Sequence, residues 1–327
     1  MKATARAHTN IALVKYWGKR DDALVLPCNN SISLTLDAFY TTTSVEFCDH
    51  LNDDVILLNG LIVDEREQHK ISRFLDIVRS AAGTSVHAVV KSVNHVPTAA
   101  GFASSASGFA ALAAAAMKAL DLPLDEQAMS LMARRGSGSA CRSVYGGFVE
   151  WLKGERKDGS DSYAVPLAAQ DYWDLRVMAV TLSAGVKEVS SREGMKRTVD
   201  TSPFYNGWLQ SVEHDLRNVR QAIAERDFAM LGRTAEANAL KMHASMFAAN
   251  PPIIYWHSAT VDVIRRVKEL RTAGIPAYFT IDAGPNVKVL CEPKDEIAVR
   301  SALLSVPDVL AVTVCRPGPG VTFLQGA

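Results

Sequence analysis

The chain has 327 residues, of which 48% are hydrophobic and 21% are charged, as is usual for a globular protein with a substantial core. Its 35 basic and 35 acidic residues balance, so bulk charge gives no support for binding to nucleic acid or to a membrane surface. The five cysteines form no Cys-x-x-Cys pair, which argues against a disulfide framework and against a zinc site. The first residues carry no apolar signal segment, and we therefore expect a cytoplasmic protein.

The first half of the chain mixes strand and helix patterns. Residues 31–36 alternate polar and apolar side chains, which is the two-residue period of a half-buried strand. Residues 66–82 repeat apolar side chains at three- and four-residue spacing, which predicts an amphipathic helix. The predicted strands are residues 4–7, 31–36, 41–47, 55–58, 85–93, 145–152 and 175–182. The predicted helices are residues 66–82, 109–120 and 125–135.

The second half is dominated by long helices. Ser190 and Glu193 have the Ser-x-x-Glu spacing of a capping box, which predicts that a helix begins there. The other predicted helices are residues 203–225, 228–246, 251–272 and 295–304, and the predicted strands are residues 277–281, 287–291 and 309–314. Because the character of the chain changes near residue 183, we predict two domains, residues 1–182 and residues 183–327.

A run of small residues at 97–108 leads into the alanine-rich predicted helix. Gly101 permits positive φ, and the absence of bulky side chains lets the backbone approach an anion at the positively polarised helix N-terminus. The run matches neither the Walker pattern nor Gly-x-Gly-x-x-Gly, and taken alone it is equally well explained by tight helix packing with serine N-caps. The serines and Lys118 make residues 99–120 too polar for a lipid-facing span.

Three further clusters carry positive charge. Residues 15–20 combine three cations with two aromatic side chains, and residues 134–142 combine arginines with glycines and serines. Guanidinium groups match phosphate and carboxylate in bidentate geometry. Residues 187–192 add a lysine and an arginine at the predicted start of a helix. Snorkelling lysines and a helix C-cap are the structural alternatives for the first two clusters.

Asp282 is an isolated carboxylate between an apolar strand and a tight turn. An Asx-turn is the structural explanation of such a residue. The functional alternative is a general base held where a strand meets a loop. Taken together, the small-residue run predicts a binding site for a nucleotide phosphate, and the cationic clusters predict a site for a second, anionic substrate. Asp282 is then the carboxylate available to accept a proton. This combination is typical of phosphoryl transfer to a hydroxyl group.

The motifs also resemble those of a known family. Residues 97–108 (PTAAGFASSASG) are similar to the phosphate loop of the galactokinase, homoserine kinase, mevalonate kinase and phosphomevalonate kinase superfamily. Within it, residues 10–19 (NIALVKYWGK), 136–142 (GSGSACR) and 282–287 (DAGPNV) resemble the diphosphomevalonate decarboxylases. The likeness runs from about residue 5 to residue 289, and the Tyr-Trp-Gly-Lys and Ser-Gly-Ser-Ala-Cys-Arg motifs are specific to that family.

Two residues depart from the usual family pattern. Phe102 stands where the family usually has leucine, a packing change that should leave the backbone amides in place. Arg192 stands where eukaryotic members carry threonine, so the chain resembles the bacterial branch. The resemblance implies an α+β fold, with an N-terminal half like domain 2 of ribosomal protein S5, a ferredoxin-like C-terminal half and a central cleft. It also implies a homodimer.

The activity that the resemblance implies is the ATP-dependent decarboxylation of mevalonate 5-diphosphate to isopentenyl diphosphate, in the mevalonate route to isoprenoids. The 3-hydroxyl group is phosphorylated, and loss of that phosphate accompanies loss of CO2. Because phosphate leaves far more readily than hydroxide, no electron-sink cofactor is needed. The implied cofactors are ATP and Mg²⁺, the implied partner is the substrate, and neither nucleic acid nor membrane is expected.

The resemblance also implies the residues that carry this reaction. Asp282 would orient or deprotonate the hydroxyl with Lys15 beside it, and Arg142 would hold the carboxylate in a region that Asn10 orders. The implied substrate-binding residues are Tyr16, Trp17, Gly18, Lys19, Ser137, Gly138, Ser139, Ala140, Cys141, Arg142 and Arg192. The implied ATP-binding residues are Pro97, Ala100, Gly101, Ala103, Ser104, Ser105, Ser107, Lys187 and Lys70, with Mg²⁺ at Ser105 and Ser107.

Two other functions remain open on the sequence alone. A small-molecule kinase of the same superfamily, similar to phosphomevalonate or homoserine kinase, would share the phosphate loop. We do not expect such a kinase to carry both the Tyr-Trp-Gly-Lys and the Ser-Gly-Ser-Ala-Cys-Arg motifs. A non-catalytic nucleotide-binding protein would have no need of Asp282 together with Lys15 and Arg142.

Overall fold

A computed structural model describes residues 1–96, 104–183 and 188–324. Over these residues, helices pack on an eight-stranded and a four-stranded β-sheet, and two short strands form a separate pair, which confirms the predicted α+β class. None of the helices in these ranges combines the length and the apolar character needed to cross a membrane.

The elements of the described chain follow in order. The strands are β1 (Lys2–Val14), β2 (Lys19–Asp21), β3 (Leu26–Pro27), β4 (Ser31–Phe47), β5 (Val55–Leu58), β6 (Leu61–Ile62), β7 (Ala88–His95), β8 (Phe148–Trp151), β9 (Ala164–Ala168), β10 (Arg176–Thr181), β11 (Ala277–Ile281), β12 (Val287–Cys291), β13 (Ala311–Cys315) and β14 (Thr322–Leu324). The helices are α1 (Glu65–Ala82), α2 (Ser104–Ala119), α3 (Glu126–Gly136), α4 (Ser191–Thr201), α5 (Tyr205–Glu225), α6 (Phe228–Phe247), α7 (Ser258–Thr272) and α8 (Glu296–Leu304). Short 3₁₀ helices lie at Gly138–Val144 and Pro293–Asp295.

The larger sheet is mostly antiparallel, with the order β14-β1-β4-β7-β5-β6 among the described residues. The long strand β4 pairs with β1 along most of its length, with β7 near its end and with β8 at its start. Helix α2 packs across β1 and β4, and every residue from Phe109 to Met117 is buried. Most of these residues are alanines, whose small side chains let the helix lie close to the sheet at native packing density.

The smaller sheet is antiparallel, with the order β11-β12-β10-β13. Helices α7 and α8 cover it, and α6 packs against β11. The turn at residues 282–286 joins β11 to β12. Within it, Asn286 Oδ1 accepts hydrogen bonds from the backbone N–H groups of Leu182 (2.6 Å) and Ser183 (3.2 Å). This side chain therefore ties the turn to the end of β10.

The two halves of the chain share a hydrophobic core. Leu13 of β1 belongs to the same buried cluster as Trp208 of α5, and α6 contacts both β1 and β11. The last strand, β14, returns to the first sheet, where Leu324 lies opposite Thr4 of β1. The division into domains at residue 183 stays a prediction, and β14 belongs to the sheet of the first half.

Several strand predictions differ from the structure. The strands predicted at residues 85–93 and 145–152 begin too early, because β7 begins at Ala88 and β8 at Phe148. The strand predicted at residues 4–7 extends over the whole of β1, so the motif residues up to Val14 lie in the sheet. The strands predicted at residues 31–36 and 41–47 are one strand, β4. Its pairing with β1 continues across two shifts of register, one between His8 and Asn10 and one between Ala12 and Val14.

Two helix predictions also need correction. The predicted helix 251–272 is wrong over its first residues, because α7 begins only at Ser258. Pro251 and Pro252 have no backbone N–H to donate, and proline restricts the residue that precedes it. The small-residue run was predicted to lead into a helix at residue 109, whereas α2 already begins at Ser104.

Candidate active site

The end of β1 delivers Lys15 to the junction of the two halves. This residue follows the last residue of the strand, so the sheet offers its backbone no partner. Side-chain amides satisfy it instead: Asn238 Oδ1 accepts from the Lys15 N–H at 2.8 Å, and Asn29 Nδ2 donates to the Lys15 carbonyl at 2.8 Å. Both amide residues are buried, so the position of Lys15 is firmly held.

The Lys15 ammonium group meets the carboxylate of Asp282. Its Nζ donates to Asp282 Oδ1 at 2.7 Å and to the Ala12 carbonyl at 2.8 Å. The Lys15 side chain is 2% exposed, whereas that of Asp282 is 25% exposed. Burial lowers the pKa of Lys15 to about 8, although the neighbouring Asp282 charge acts to raise it. The Asp282 carboxylate is therefore partly accessible from outside, whereas the Lys15 ammonium group is buried behind it.

A second buried lysine, Lys288, was not singled out by the sequence. It lies on β12, is 1% exposed, and places its Nζ 3.3 Å from Asp282 Oδ2. Burial acts to raise the pKa of Asp282, but the Lys15 and Lys288 charges hold it far below its usual range. Asp282 is therefore an ionised carboxylate between two ammonium groups.

Arg142 lies in the first 3₁₀ helix and is 2% exposed. Its Nη1 donates to Ser31 Oγ at 2.6 Å, while Nε and Nη2 donate to Asn10 Oδ1 at 3.3 and 3.1 Å. Asn10 Nδ2 in turn donates to the Ser139 carbonyl (3.1 Å) and to Ser143 Oγ (2.7 Å). A guanidinium group has five N–H donors, so two have no partner within the described ranges and suit an incoming anion.

The start of α2 lies beside the serine-rich turn at residues 137–139. Ser105 and Ser104 are exposed at the first turn of the helix, and Ser137 Oγ approaches Ser105 Oγ at 3.5 Å. Ser107 differs, because its hydroxyl is fully buried and bonds to Thr41 Oγ1 (2.8 Å) and to the Ser104 carbonyl (3.2 Å). Ser105 is therefore exposed, whereas the Ser107 hydroxyl is turned towards the sheet, and the contact of either serine with Mg²⁺ stays a prediction.

Of the other predicted nucleotide-binding residues, only Lys70 lies within the described ranges. Lys70 on α1 lies over the ring of Phe109 in α2, with Nζ 5.1 Å from the ring centroid, and pairs with Glu67 at 2.8 Å. It is therefore close to the second turn of α2. The predicted residues that lie outside the described ranges are Pro97, Ala100, Gly101, Ala103 and Lys187.

The Tyr-Trp-Gly-Lys motif divides between the core and the site. The Tyr16 ring packs edge-on against Trp151 at 4.7 Å, and a Cβ at Gly138 would lie 3.0 Å from the Tyr16 hydroxyl. Trp17 is a core residue that is 2% exposed. Gly18 has φ +98°, and a Cβ there would lie 2.0 Å from the Tyr205 hydroxyl. At both glycines a neighbouring tyrosine lies too close for a side chain to fit. Because the Trp17 side chain is buried, its backbone is the part that could contact a substrate.

The remaining predicted substrate-binding residues lie in the first 3₁₀ helix, on β2 and in the first turn of α4. Ala140 and Cys141 are fully buried, and burial raises the pKa of the Cys141 thiol to about 12. Lys19 Nζ pairs with Asp22 at 2.7 Å. That bond lowers the pKa of Asp22, and the charge of Arg192 acts in the same direction, so Lys19 and Arg192 lie at one cationic edge. Arg192 is exposed in the first turn of α4.

The predicted capping box at the start of α4 is borne out on one side. Ser190 is the N-cap residue, and its Oγ accepts from the Glu193 N–H at 3.2 Å. This bond fixes the first turn of the helix, so the Arg192 side chain and the helix dipole both present positive charge at the same end.

Taken as a whole, the site brings an ionised carboxylate, two ammonium groups and a guanidinium group together at the end of β1. No group of three or more His, Cys, Asp or Glu side chains that would hold a metal ion occurs among the described residues. A divalent cation here would therefore be held mainly through ligand phosphate oxygens, with the exposed Ser105 hydroxyl as a protein donor. Such an arrangement suits polyanionic substrates and proton transfer at one carboxylate.

Comparisons with known proteins agree with this geometry. A family model described as the diphosphomevalonate decarboxylase-like N-terminal domain matches residues 7–164, and one described as the mevalonate 5-diphosphate decarboxylase C-terminal domain matches residues 177–310. The diphosphomevalonate decarboxylase of Homo sapiens is 38% identical over 307 residues, which cover 88% of this chain and 76% of the human protein.

Solved structures are also similar over the full chain. Mevalonate diphosphate decarboxylase from Staphylococcus aureus has a TM-score of 0.95 at 47% identity, covering 99% of this chain and 98% of that one. A structure described as MDDEF in complex with MVAPP, AMPPCP and magnesium has a TM-score of 0.94 at 47% identity, covering 100% of this chain and 99% of that one.

The fold and the grouping of charged residues define a member of the galactokinase, homoserine kinase, mevalonate kinase and phosphomevalonate kinase superfamily. Within that class the family models and the relatives agree. The chain belongs to the diphosphomevalonate decarboxylase family.

Proposed function

We propose that this protein catalyses the ATP-dependent decarboxylation of mevalonate 5-diphosphate to isopentenyl diphosphate. The observation that carries the proposal is the grouping of Lys15, Asp282 and Arg142, in which the Lys15 and Asp282 side chains lie 2.7 Å apart. The motif residues that form this group come from three distant parts of the chain, and the family relatives bear the same activity in their names.

Asp282 is the residue that meets the substrate hydroxyl. Its open side accepts the hydrogen bond of the 3-hydroxyl group, since each carboxylate oxygen keeps a lone pair beside its lysine partner. The hydroxyl oxygen, oriented by Asp282, attacks the terminal phosphorus of ATP as ADP leaves. Its proton passes to Asp282 as the new P–O bond forms, because bond formation makes that proton acidic. The C3–O bond then breaks with phosphate as leaving group, and the electron pair of the bond to the carboxyl carbon becomes the new double bond as CO2 departs.

Arg142 holds the substrate carboxylate in this scheme. Its two remaining N–H donors form a planar fork, while Asn10 and Ser31 fix the plane of the guanidinium group. A carboxylate held in one orientation aligns the C–C bond that breaks with the C–O bond that breaks. Positioning of this kind supplies much of the rate enhancement of such reactions.

Phosphate groups bind at two places in this scheme. We assign the ATP phosphates to the N-terminus of α2 with Ser104 and Ser105, and the substrate diphosphate to Lys19 and Arg192. Mg²⁺ would supply neutralisation of the charge that develops on the transferred phosphoryl group. The complex of a 47% identical neighbour with MVAPP, AMPPCP and magnesium supports this pair of ligands.

We further propose that the protein works in the cytoplasm as a homodimer. All five cysteines are free thiols, which supports a reducing compartment. The family resemblance supports the dimer, and light scattering on the purified protein measures its mass directly. A mass of one chain at assay concentration contradicts the dimer.

The test of the activity is to supply purified protein with ATP, Mg²⁺ and mevalonate 5-diphosphate. We expect ADP, phosphate and CO2 in equal amounts, together with isopentenyl diphosphate. Asp282→Asn should lower kcat by about 10²- to 10⁴-fold, since a positioned proton acceptor contributes that much, while nucleotide binding stays unchanged. Asp171→Asn, an exposed isosteric change, is the matched control.

The outcomes separate the alternatives. ADP formation without CO2 would indicate a simple kinase of the same superfamily. Binding of ATP with no turnover in the presence of the diphosphate substrate would indicate a non-catalytic nucleotide-binding protein. Wild-type turnover by Asp282→Asn would show that Asp282 is not the group that accepts the proton of the substrate hydroxyl.

A further inference from the structure

Lys288 is a buried charge that the proposed reaction does not yet use. It belongs to β12, whose other residues are apolar and buried. Its neighbours across the sheet are Thr280 on β11 and Ala179 on β10, and neither carries a charge. Moving an ammonium group out of water is costly unless a counter-charge compensates it, and the Asp282 carboxylate provides that charge at 3.3 Å.

We propose that Lys288 is a positioning residue of the active site, which together with Lys15 clamps the Asp282 carboxylate in the orientation that meets the substrate hydroxyl. The inference rests on the proposed function. Lys15, at the end of β1, contacts Oδ1, and Lys288, on β12, contacts Oδ2. Each carboxylate oxygen is therefore held by a lysine from a different element.

The geometry of the clamp leaves the reactive side open. Both lysine side chains are 2% exposed, whereas the Asp282 side chain is 25% exposed. Each carboxylate oxygen offers two lone pairs, so one lysine bond at each oxygen leaves capacity for a substrate hydrogen bond. With a single lysine the carboxylate plane could rotate about its own axis; two contacts at opposite oxygens remove that freedom.

Electrostatics gives the clamp a measurable signature. The charged or titratable groups that face Asp282 and Lys15 are Lys288 on β12, Arg142 on the first 3₁₀ helix and His243 on α6. Burial, followed by the charge of Lys15, lowers the pKa of His243 to about 3, so His243 is neutral in any ordinary assay. The charges of Lys288 and Arg142 both act to lower the pKa of Lys15, which burial brings to about 8.

The experiment compares Lys288→Met and Lys288→Gln with Lys288→Arg, and uses Lys294→Met as the matched control. Lys294 lies near the same strand but is 68% exposed and pairs with Glu292. We expect Lys288→Met and Lys288→Gln to lower kcat about tenfold or more, with little change in the KM for ATP. Removing a like charge beside Lys15 should move the alkaline limb of kcat/KM upward by about one pH unit.

Charge-retaining and distant changes should behave differently. Lys288→Arg should keep the alkaline limb near its wild-type position and recover part of kcat, and Lys294→Met should match the wild type. A purely structural lysine would lower stability without moving the limb. Unchanged limbs and unchanged kcat in both neutral variants would overturn the proposal.

A readout that does not need turnover separates this inference from the proposed function. Carboxyl ¹³C NMR of aspartate-labelled protein, with the signal assigned by Asp282→Asn, follows the ionisation of Asp282 directly. Loss of one counter-charge should raise the pKa of this carboxyl by about one to three units in Lys288→Met. If wild-type protein releases no CO2 but this shift occurs, the clamp stands and the proposed reaction fails; an unshifted carboxyl overturns the clamp itself.

Discussion

The Lys15 ammonium group shows how burial and neighbouring charge set the chemistry of a single side chain. It lies out of water beside one carboxylate, with Lys288 and Arg142 as further cations nearby. Burial and these two charges lower its pKa to about 8, while Asp282 opposes them. Because this value falls within the range of ordinary assays, the charge that holds Asp282 depends on pH.

We predict that kcat/KM falls as the pH rises through about 8. Above this value Lys15 in the free enzyme loses its proton, and with it the charge that holds Asp282 and attracts polyanionic substrates. Bound substrates add negative charge and raise the pKa, so the limb in kcat should lie at higher pH than the limb in kcat/KM. Initial rates at constant ionic strength, from about pH 6 to about pH 10, measure both.

Lys15→Arg distinguishes this lysine from other groups. A guanidinium group stays charged through the range, so the limb near pH 8 should disappear even if kcat is lower. Lys294→Arg, an exposed position, is the control. A limb that stays near pH 8 in Lys15→Arg assigns the ionisation to another residue.

At the scale of secondary-structure elements, the site depends on how α5 and α6 meet the end of β1. Asn238 of α6 is fully buried, accepts from the Lys15 N–H and donates through Nδ2 to Asp215 Oδ2 of α5 at 2.7 Å. The Lys241 ammonium group reaches the same Asp215 oxygen at 2.6 Å. One amide side chain therefore joins a strand of the first sheet to two helices of the second half.

We predict that Asn238→Ala lowers the free energy of unfolding by about 2 to 4 kcal/mol, because a buried N–H and a buried carboxylate oxygen each lose a partner. Urea unfolding followed by circular dichroism measures the change. Asn218→Ala on α5 is the control, since this side chain bonds at the surface to His214. If Asn238→Ala loses no more free energy of unfolding than Asn218→Ala, water must take over the hydrogen bonds of the Asn238 side chain.

Long helices with a repeated apolar period were well predicted from the sequence, and the predicted strands 55–58, 277–281 and 287–291 coincide with β5, β11 and β12. The predictions for α1, α5 and α6 came within two residues of the structure. The predicted helix at 251–272 was wrong only before Ser258, where Ile253 and Tyr255 are buried without being helical. An apolar pattern records burial, and the two prolines before Ile253 prevent the helix that the pattern would otherwise favour.

The site residues divide in a similar way. Lys15, Arg142 and Asp282 lie in recognisable motifs, and the structure brings them to one place. Lys288 and Asn238 lie within an ordinary strand and an ordinary helix, where the sequence shows only an isolated polar residue. Asn238 depends on Lys15, over two hundred positions away, and Lys288 depends on the turn that brings Asp282 back beside β12. A periodic pattern within one strand or one helix encodes neither contact.

At the scale of the whole molecule, zero net charge conceals a concentration of cations where the two halves meet. Lys15, Arg142 and Lys288 are each at most 2% exposed and surround one carboxylate. The shared hydrophobic core, which joins β1 to α5 and α6, fixes the positions of these charges relative to one another. Relative movement of the halves would therefore cost core packing as well as ion pairs.

We predict that deletion of residues 322–327 destabilises the protein, because β14 covers the edge of β1 and Phe323 lies under the Lys118 ammonium group at 4.3 Å. The melting temperature should fall by about 2 to 4 °C for every kcal/mol lost. Differential scanning calorimetry measures this fall, and deletion of residues 325–327, which leaves β14 in place, is the control. Equal melting temperatures for both deletions would mean that β14 adds nothing to stability.

The return of β14 to the first sheet also bears on biosynthesis. β1 is made long before β14, so the strand that completes its outer edge is made only after the second half of the chain. Domains that are contiguous in sequence can mature one after another during translation, whereas here the first sheet is completed only when that later strand has been synthesised. Until β14 is made, the edge of β1 lacks its partner, and unpaired strand edges of this kind are prone to aggregation.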